Sequence, residues 1–227
     1  MKIVISLGGS LLTRELSPNN FKKYVDVIKK LHKLGHKLIV VCGGGKVCRD
    51  YQNIAKAFNA SKNQLDFIGI MATHLNASTL FSCLGKSAYL VKWKSLKEAG
   101  KEVKKYFNKK IIVAAGYDVG TSTDYDSAYF AKLVKADLLI NVTNVDGVYD
   151  KDPKKYPDAK KFDKIGYEEF IKIIKKNEQV PGEYRLFDLK AARLIKKIKL
   201  KTLIIDGTNQ EEIIRAVNGR HNGTEIA

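Results

Sequence analysis

Residues 38–42 form an unbroken apolar run, Leu-Ile-Val-Val-Cys, that stops on three successive glycines, Gly43, Gly44 and Gly45. A run this short and this rich in β-branched residues predicts a strand buried on both faces, as in parallel sheets covered by helices. Residues 46–58 read as the helix that follows. A strand that ends on glycines and turns into a helix presents free backbone N–H groups, and without a Cβ a ligand can approach them closely. Those N–H groups and the helix dipole favour an anion such as phosphate. Arg49, one turn in, is placed for a charge-assisted, bidentate contact. The plain alternative is a tight turn without a ligand, but three glycines exceed what a turn needs. Two common phosphate loops are excluded: Val47, not Ser or Thr, follows Lys46, and Gly-x-Gly-x-x-Gly is absent from this stretch.

The chain of 227 residues is long enough for a substantial core. With 44% hydrophobic and 29% charged residues it has an ordinary globular composition. No apolar run reads as a membrane span and the N-terminus lacks a signal-peptide core, so the expected location is cytoplasmic. Cys42, Cys48 and Cys83 show no paired spacing and are expected as reduced thiols; the four histidines show no metal-ligand spacing. The net charge of +17 would suit a polyanion, yet the excess is lysine spread over polar helix faces without interleaved aromatics. Solvated lysine faces are the better reading, and no nucleic-acid partner is expected.

Strand and helix patterns alternate. Strands are expected over 2–7, 38–42, 87–91, 110–115, 137–142 and 202–206, with an edge strand over 223–226. Helices are expected over 18–34, 46–58, 64–84, 127–134, 167–176, 188–197 and 210–217. Residues 93–107 fit either a broken helix or a hairpin. This order predicts an α/β fold with a mainly parallel sheet covered on both faces. A single domain over 1–227 is expected, with a seam near 151–161. Right-handed crossovers would bring residues 8–10, 43–45, 116–123 and 143–147 to the carboxyl edge of the sheet, where open α/β sheets bind ligands. Two glycine clusters there can hold phosphates from two ligands, as a phosphotransferase requires.

The segments Ser-Leu-Gly-Gly-Ser (6–10), Cys-Gly-Gly-Gly-Lys-Val-Cys-Arg (42–49), Ser-Thr-Asp (122–124) and Thr-Asn-Val-Asp-Gly-Val-Tyr-Asp-Lys-Asp-Pro (143–153) resemble the amino acid kinase superfamily. Asp-Phe-Ile-Gly-Ile (66–70), Thr-His-Leu-Asn-Ala (73–77) and Gly-Arg-His-Asn-Gly-Thr-Glu-Ile (219–226) are similar to archaeal-type uridylate (UMP) kinases. The resemblance covers essentially the whole chain. It implies a three-layer αβα sandwich, transfer of the ATP γ-phosphoryl group to UMP, a magnesium ion and a homohexamer. It also implies an acceptor-binding half over about 1–150 and an ATP-binding half over about 151–227. By that resemblance ATP lies near Gly9, Ser10, Gly45, Arg49, Thr143, Asn144, Tyr149 and Asp152. UMP lies near Gly44, Asp66, Tyr117, Asp118, Val119, Gly120, Thr121, Ser122 and Thr123. Arg49, Lys46 and Asp124 are the expected catalytic residues, and no protein-held metal site is assigned.

Three positions depart from the family pattern: residues 115–120 replace Gly-Gly-Thr-x-Pro-Gly, His74 stands where Arg is common, and Ser6 where many members carry Lys. Asp118 brings an extra negative charge to the acceptor side. Asp66 reads either as a helix-dipole complement or as an acceptor for ribose hydroxyls, and the motif around it favours the second. Of Thr121, Ser122 and Thr123, one serves as a helix cap and the others are available to a ligand. Tyr125 and Asp126 read as solvent or packing residues, and Asp146 as a turn residue shaping the donor loop. Competing functions are a relative acting on another small phosphate or carboxylate acceptor, a non-catalytic nucleotide-binding protein, and a nucleic-acid binder suggested by charge alone.

Overall fold

The computed structural model describes residues 1–153, 155–178 and 186–227. Parts of the expected seam (154) and of the expected C-terminal half (154 and 179–185) lie outside the described residues. In chain order the elements are β1 (Lys2–Leu7), α1 (Gly9–Leu12), α2 (Pro18–Lys33), β2 (Lys37–Cys42), α3 (Gly45–Ala57), α4 (Lys62–Leu84), β3 (Ala88–Leu90), α5 (Leu96–Tyr106), β4 (Ile111–Ala114) and α6 (Thr123–Val134). They continue with β5 (Leu138–Thr143), β6 (Val148–Tyr149), β7 (Lys161–Phe162), β8 (Lys164–Ile165), α7 (Tyr167–Glu178), α8 (Leu189–Ile198), β9 (Thr202–Asp206), α9 (Glu211–Val217) and β10 (Thr224–Ile226).

The main sheet has the order β3-β4-β2-β1-β5-β9-β10-β8, and its first six strands run parallel. Alternate residues of each central strand serve opposite faces. Val4, Ile39, Val41, Ile112, Leu139 and Ile204 pack with residues of α5 to α8, including Phe130, Phe170 and Ile195. Ile3, Ile5, Leu38, Val40, Ile111 and Ile140 pack with α2, α4 and α9. Both faces are therefore covered, which is why the strands read as continuous apolar runs. The architecture is the expected three-layer αβα sandwich.

Two local expectations are corrected and two others are sharpened. Residues 224–226 do not form an edge: β10 runs antiparallel to β9, and β8 pairs on its far side. The turn over 143–153 contains β6, which pairs with β7; strands of two residues carry no periodic signal. The ambiguous 93–107 stretch holds α5, started by a capping box in which Ser95 and Glu98 satisfy each other's backbone N–H groups. Finally, residues 62–87 are long and apolar enough to cross a membrane by length and composition. In the fold, α4 packs against α2, α3 and the sheet, and its polar side chains enter the site described next.

Candidate active site at the carboxyl edge of the sheet

β1 and β2 end side by side, in register from Lys2 opposite Lys37 to Leu7 opposite Cys42. The glycine turns beyond them are therefore pressed together. A Cβ on Gly9 would lie 2.2 Å from the Gly45 nitrogen and 2.3 Å from the Gly43 carbonyl oxygen. Gly45 has φ +69°, and a Cβ there would lie 2.2 Å from the Gly9 carbonyl oxygen. The glycines thus serve the contact between two backbones as well as any ligand. Gly44 caps α3, and a Cβ on it would run into Cys48 at 2.7 Å rather than into open space. Thr13, which sequence reasoning missed, locks the junction: its hydroxyl donates to the Gly9 carbonyl (2.9 Å) and accepts from the Lys46 backbone N–H (2.9 Å). One of the N–H groups expected to be free is therefore already capped.

The two basic residues differ in placement. Lys46 directs its ammonium 2.6 Å from the Asp50 carboxylate on the exposed side of α3. Arg49 is exposed and makes no hydrogen bond or ion pair among the described residues. Its guanidinium remains available to an anion.

α4 joins this turn to the acceptor loop. Asn76 donates to the carbonyls of Gly43 (2.7 Å) and Gly44 (3.2 Å). One turn earlier, the Thr73 hydroxyl accepts from the Gly116 N–H (2.9 Å) and His74 Nε2 donates to the Gly116 carbonyl (2.9 Å). Burial pushes the His74 pKa down, consistent with a neutral imidazole that donates from Nε2. The 73–77 motif thus acts as a spine between the two glycine-bearing ends, a role that helix periodicity does not reveal.

The rebuilt loop beyond Gly116 is held at many of its polar groups. The Tyr117 N–H donates to Asp126 (3.2 Å), and the Tyr117 carbonyl accepts from Trp93 Nε1 (3.4 Å). The Asp118 carboxylate accepts from the Leu96 N–H at the start of α5 (3.2 Å), so the helix N-terminus compensates its charge. The Thr121 hydroxyl donates to the Asp118 carbonyl (2.7 Å). The Gly120 N–H donates to Asp66 Oδ2 (3.1 Å), and its carbonyl accepts from Lys190 (3.1 Å). Asp66 is thereby brought to the loop, as expected. Lys190 is a cation that no local motif announces, because α8 lies 70 residues further on.

Tyr117 corrects the expected acceptor set. It is 3% exposed, donates from its hydroxyl to the Val91 carbonyl and packs edge-on against His74 and Phe130. Its ring belongs to the core and cannot face a ligand. Asp118, Val119 and Gly120 are exposed, and Thr121, Ser122 and Thr123 are half-buried. Ser122 is the cap of α6, accepting from the Tyr125 N–H.

Asp124 stands in the first turn of α6 beneath the end of β1, where the Ser6 hydroxyl donates to its Oδ1 (3.1 Å). Burial, and then the neighbouring Asp188 carboxylate, push its pKa up to about 6. Asp126, expected at solvent or in packing, is fully buried, and burial raises its pKa well above the usual carboxylate range.

The donor turn starts beside the first glycine turn: the Gly8 N–H donates to the Val142 carbonyl (2.8 Å), and a Cβ on Gly8 would lie 3.6 Å from the Thr143 Cα. Asn144 is exposed, and Thr143 and Tyr149 are half-buried. Asp146 shapes this turn, accepting from the Tyr149 hydroxyl (2.8 Å) and pairing with Lys161 (3.5 Å). Asp152 accepts at its carbonyl from the Tyr156 N–H (2.9 Å).

A parallel sheet covered on both faces, with contacting glycine turns at its carboxyl edge and a tethered loop opposite, defines an α/β protein of the class that binds ligands at its strand ends. The chain belongs to the amino acid kinase family, whose model matches residues 1–206. It is 40% identical to the uridylate kinase of Methanobrevibacter smithii over 226 residues, covering 100% of this chain and 99% of that protein. It is 38% identical to the uridylate kinase of Methanocaldococcus jannaschii over 229 residues, with the same coverage. The crystal structure of uridylate kinase from Archaeoglobus fulgidus superposes with a TM-score of 0.86 at 37% identity, covering 100% of both chains. The UMP kinase of Bacillus anthracis shares the fold, with a TM-score of 0.84 at 22% identity over 99% of this chain and 95% of that one.

Proposed function

We propose that this chain is an ATP-dependent UMP kinase that transfers the γ-phosphoryl group of ATP to UMP, giving ADP and UDP. The observation that carries this reading is the route from Asn76 on the glycine turn, through Thr73 and His74 on Gly116, to Asp66 on Gly120. One rigid helix thereby sets a phosphate-binding turn at a fixed position relative to an acceptor loop. Phosphoryl transfer depends mainly on such positioning and on neutralising charge, because the attacking acceptor oxygen is already an anion.

In this reading Gly9, Ser10, Gly45 and Arg49 hold ATP phosphates, and Thr143, Asn144, Tyr149 and Asp152 hold the rest of the donor. Arg49 is the first cation in line for the transferred group, and Lys190 offsets negative charge on the acceptor side. Asp66 accepts the ribose hydroxyls through the oxygen not used by Gly120. The residues over about 1–150 supply the acceptor side and those over about 151–227 complete the ATP side. Among the described residues no three acidic, imidazole or thiol groups converge as a metal site. In this reading magnesium would arrive on the ATP phosphates, and Asp124, bonded to Ser6 at the end of β1, would be the carboxylate that orients it through water. Such an ion neutralises phosphate charge.

We also infer a homo-oligomer, a hexamer by family resemblance. α3 buries none of its residues, and Tyr51, Ile54 and Phe58 form an apolar stripe at helical spacing, 62%, 62% and 83% exposed. A stripe of this kind marks an interaction surface.

An acceptor panel with ATP and magnesium tests the function. UMP should be the best acceptor by a wide margin. Preference for another monophosphate or for a carboxylate would assign the rebuilt 115–120 loop to a different substrate, and ATP binding without turnover of any acceptor would remove the catalytic reading.

A further inference from the structure

Three apolar side chains stand in solvent around the Asp66–Gly120 contact: Phe67 at 42% exposure, Trp93 at 52% and Val119 at 46%. Phe67 and Trp93 meet edge to face, with ring centroids 5.5 Å apart and planes at 68°. Trp93 is also anchored by its indole N–H on the Tyr117 carbonyl, so its ring is fixed beside the loop instead of sweeping through solvent. An edge-to-face pair leaves ring faces open, and a planar group can lie on them. The neighbouring groups indicate which one. Asp66 precedes Phe67 on α4, and a ribose held by its 2′- and 3′-hydroxyls at Asp66 carries its base within a few ångströms. The acceptor phosphate must point toward the glycine turns, so the base projects to the opposite side, where the aromatic pair stands.

We propose that Phe67 and Trp93 form the stacking platform for the base of the acceptor nucleotide. This rests on the kinase reading above and adds to it: the platform takes the flat face of the base, while discrimination among bases falls to groups at its edge. Stacking on an aromatic ring tolerates any base, because every base has a π-face.

Trp93 is the only tryptophan in the chain, so its fluorescence reports this spot alone. In the wild-type enzyme UMP should quench or shift that fluorescence with saturation, whereas ribose 5-phosphate, which lacks a base, and ATP should leave it nearly unchanged. Trp93→Ala should raise KM for UMP about five- to a hundredfold, as for loss of one base–aromatic stack, with kcat and the KM for ATP little changed. Trp93→Phe keeps a ring without the N–H and should recover most of the affinity. Inhibition by ribose 5-phosphate should be equal in all three proteins. The proposal is overturned if UMP leaves the wild-type fluorescence unchanged. It is equally overturned if Trp93→Ala weakens UMP and ribose 5-phosphate alike, which would make Trp93 only a fastener of the loop. Fluorescence that follows protein concentration but not UMP would place Trp93 at a subunit contact and also refute it. Because the fluorescence test uses unaltered protein, a misfolded variant does not block it. If the wild type phosphorylates another monophosphate instead of UMP, the kinase reading changes acceptor, and the same titrations with that nucleotide judge the platform separately.

Discussion

Replacing Asp126 by Asn should change how the protein's stability depends on pH. Asp126 is 0% exposed; its Oδ2 accepts from the Tyr117 N–H, and its Oδ1 has no hydrogen-bond partner among the described residues. Burial raises its pKa well above the usual value, and the charges of Asp118, Asp124 and Asp188 push in the same direction against the Tyr117 hydrogen bond. The folded protein therefore holds this proton at pH values where the unfolded chain, with a carboxyl pKa near 3.9, has released it. The contribution to stability is fully present below the unfolded pKa and is lost as pH rises toward the folded pKa. The loss proceeds at about 1.4 kcal/mol per pH unit over that interval and is flat above it. Asn keeps a carbonyl for the Tyr117 N–H and does not titrate. Urea unfolding of both proteins from pH 4 to pH 9, at one fixed protein concentration, should give curves that diverge with that slope, the variant gaining relative stability as pH rises. Asp124 titrates in both proteins and largely cancels in the difference. Parallel curves would show that Asp126 ionises like an exposed carboxyl and would refute the burial argument. Asp126→Ala should behave differently at low pH, losing about 1–3 kcal/mol because the buried Tyr117 N–H is left without a partner.

Three further outcomes are expected. Gly9→Ala should cost about 3 kcal/mol in a denaturation assay, because the new methyl meets backbone atoms of Gly43 and Gly45 that cannot move aside; unchanged stability would mean that the two turns are not in contact. Arg49→Ala should leave the melting temperature alone and lower kcat/KM by the equivalent of about 2–4 kcal/mol, since its exposed side chain has no structural partner among the described residues; wild-type kinetics would remove it from the site. Asp66→Ala should weaken UMP about ten- to a hundredfold while ATP affinity holds, and equal weakening of both ligands would make Asp66 a support of the loop instead.

The sequence alone determined the layers and the sheet edge on which the candidate site is placed. Continuous apolar strands such as residues 38–42 can be satisfied only by cover on both faces, and a parallel order places every glycine-ended strand on one edge. Local signals of this type depend on neighbours in the chain, so they survive without a structure. Caps are equally local, and the Ser95–Glu98 box was readable, although lysine density over 93–107 obscured it. The partners of each polar group were decided only by the tertiary structure. Nothing near Asp118 in sequence indicates that the Leu96 N–H compensates it, and nothing near Gly120 points to Lys190. From the sequence Tyr117 is expected at a ligand and Asp126 at solvent or in packing; the tertiary structure buries both and makes them supports of the loop. The three glycines after β2 looked like space kept for a phosphate, and part of that space is filled by the backbone of Gly9. The physical reason is common to these cases: a side chain's chemistry is local, but its burial and its hydrogen-bond partner are set by packing with residues 9 to 70 positions away.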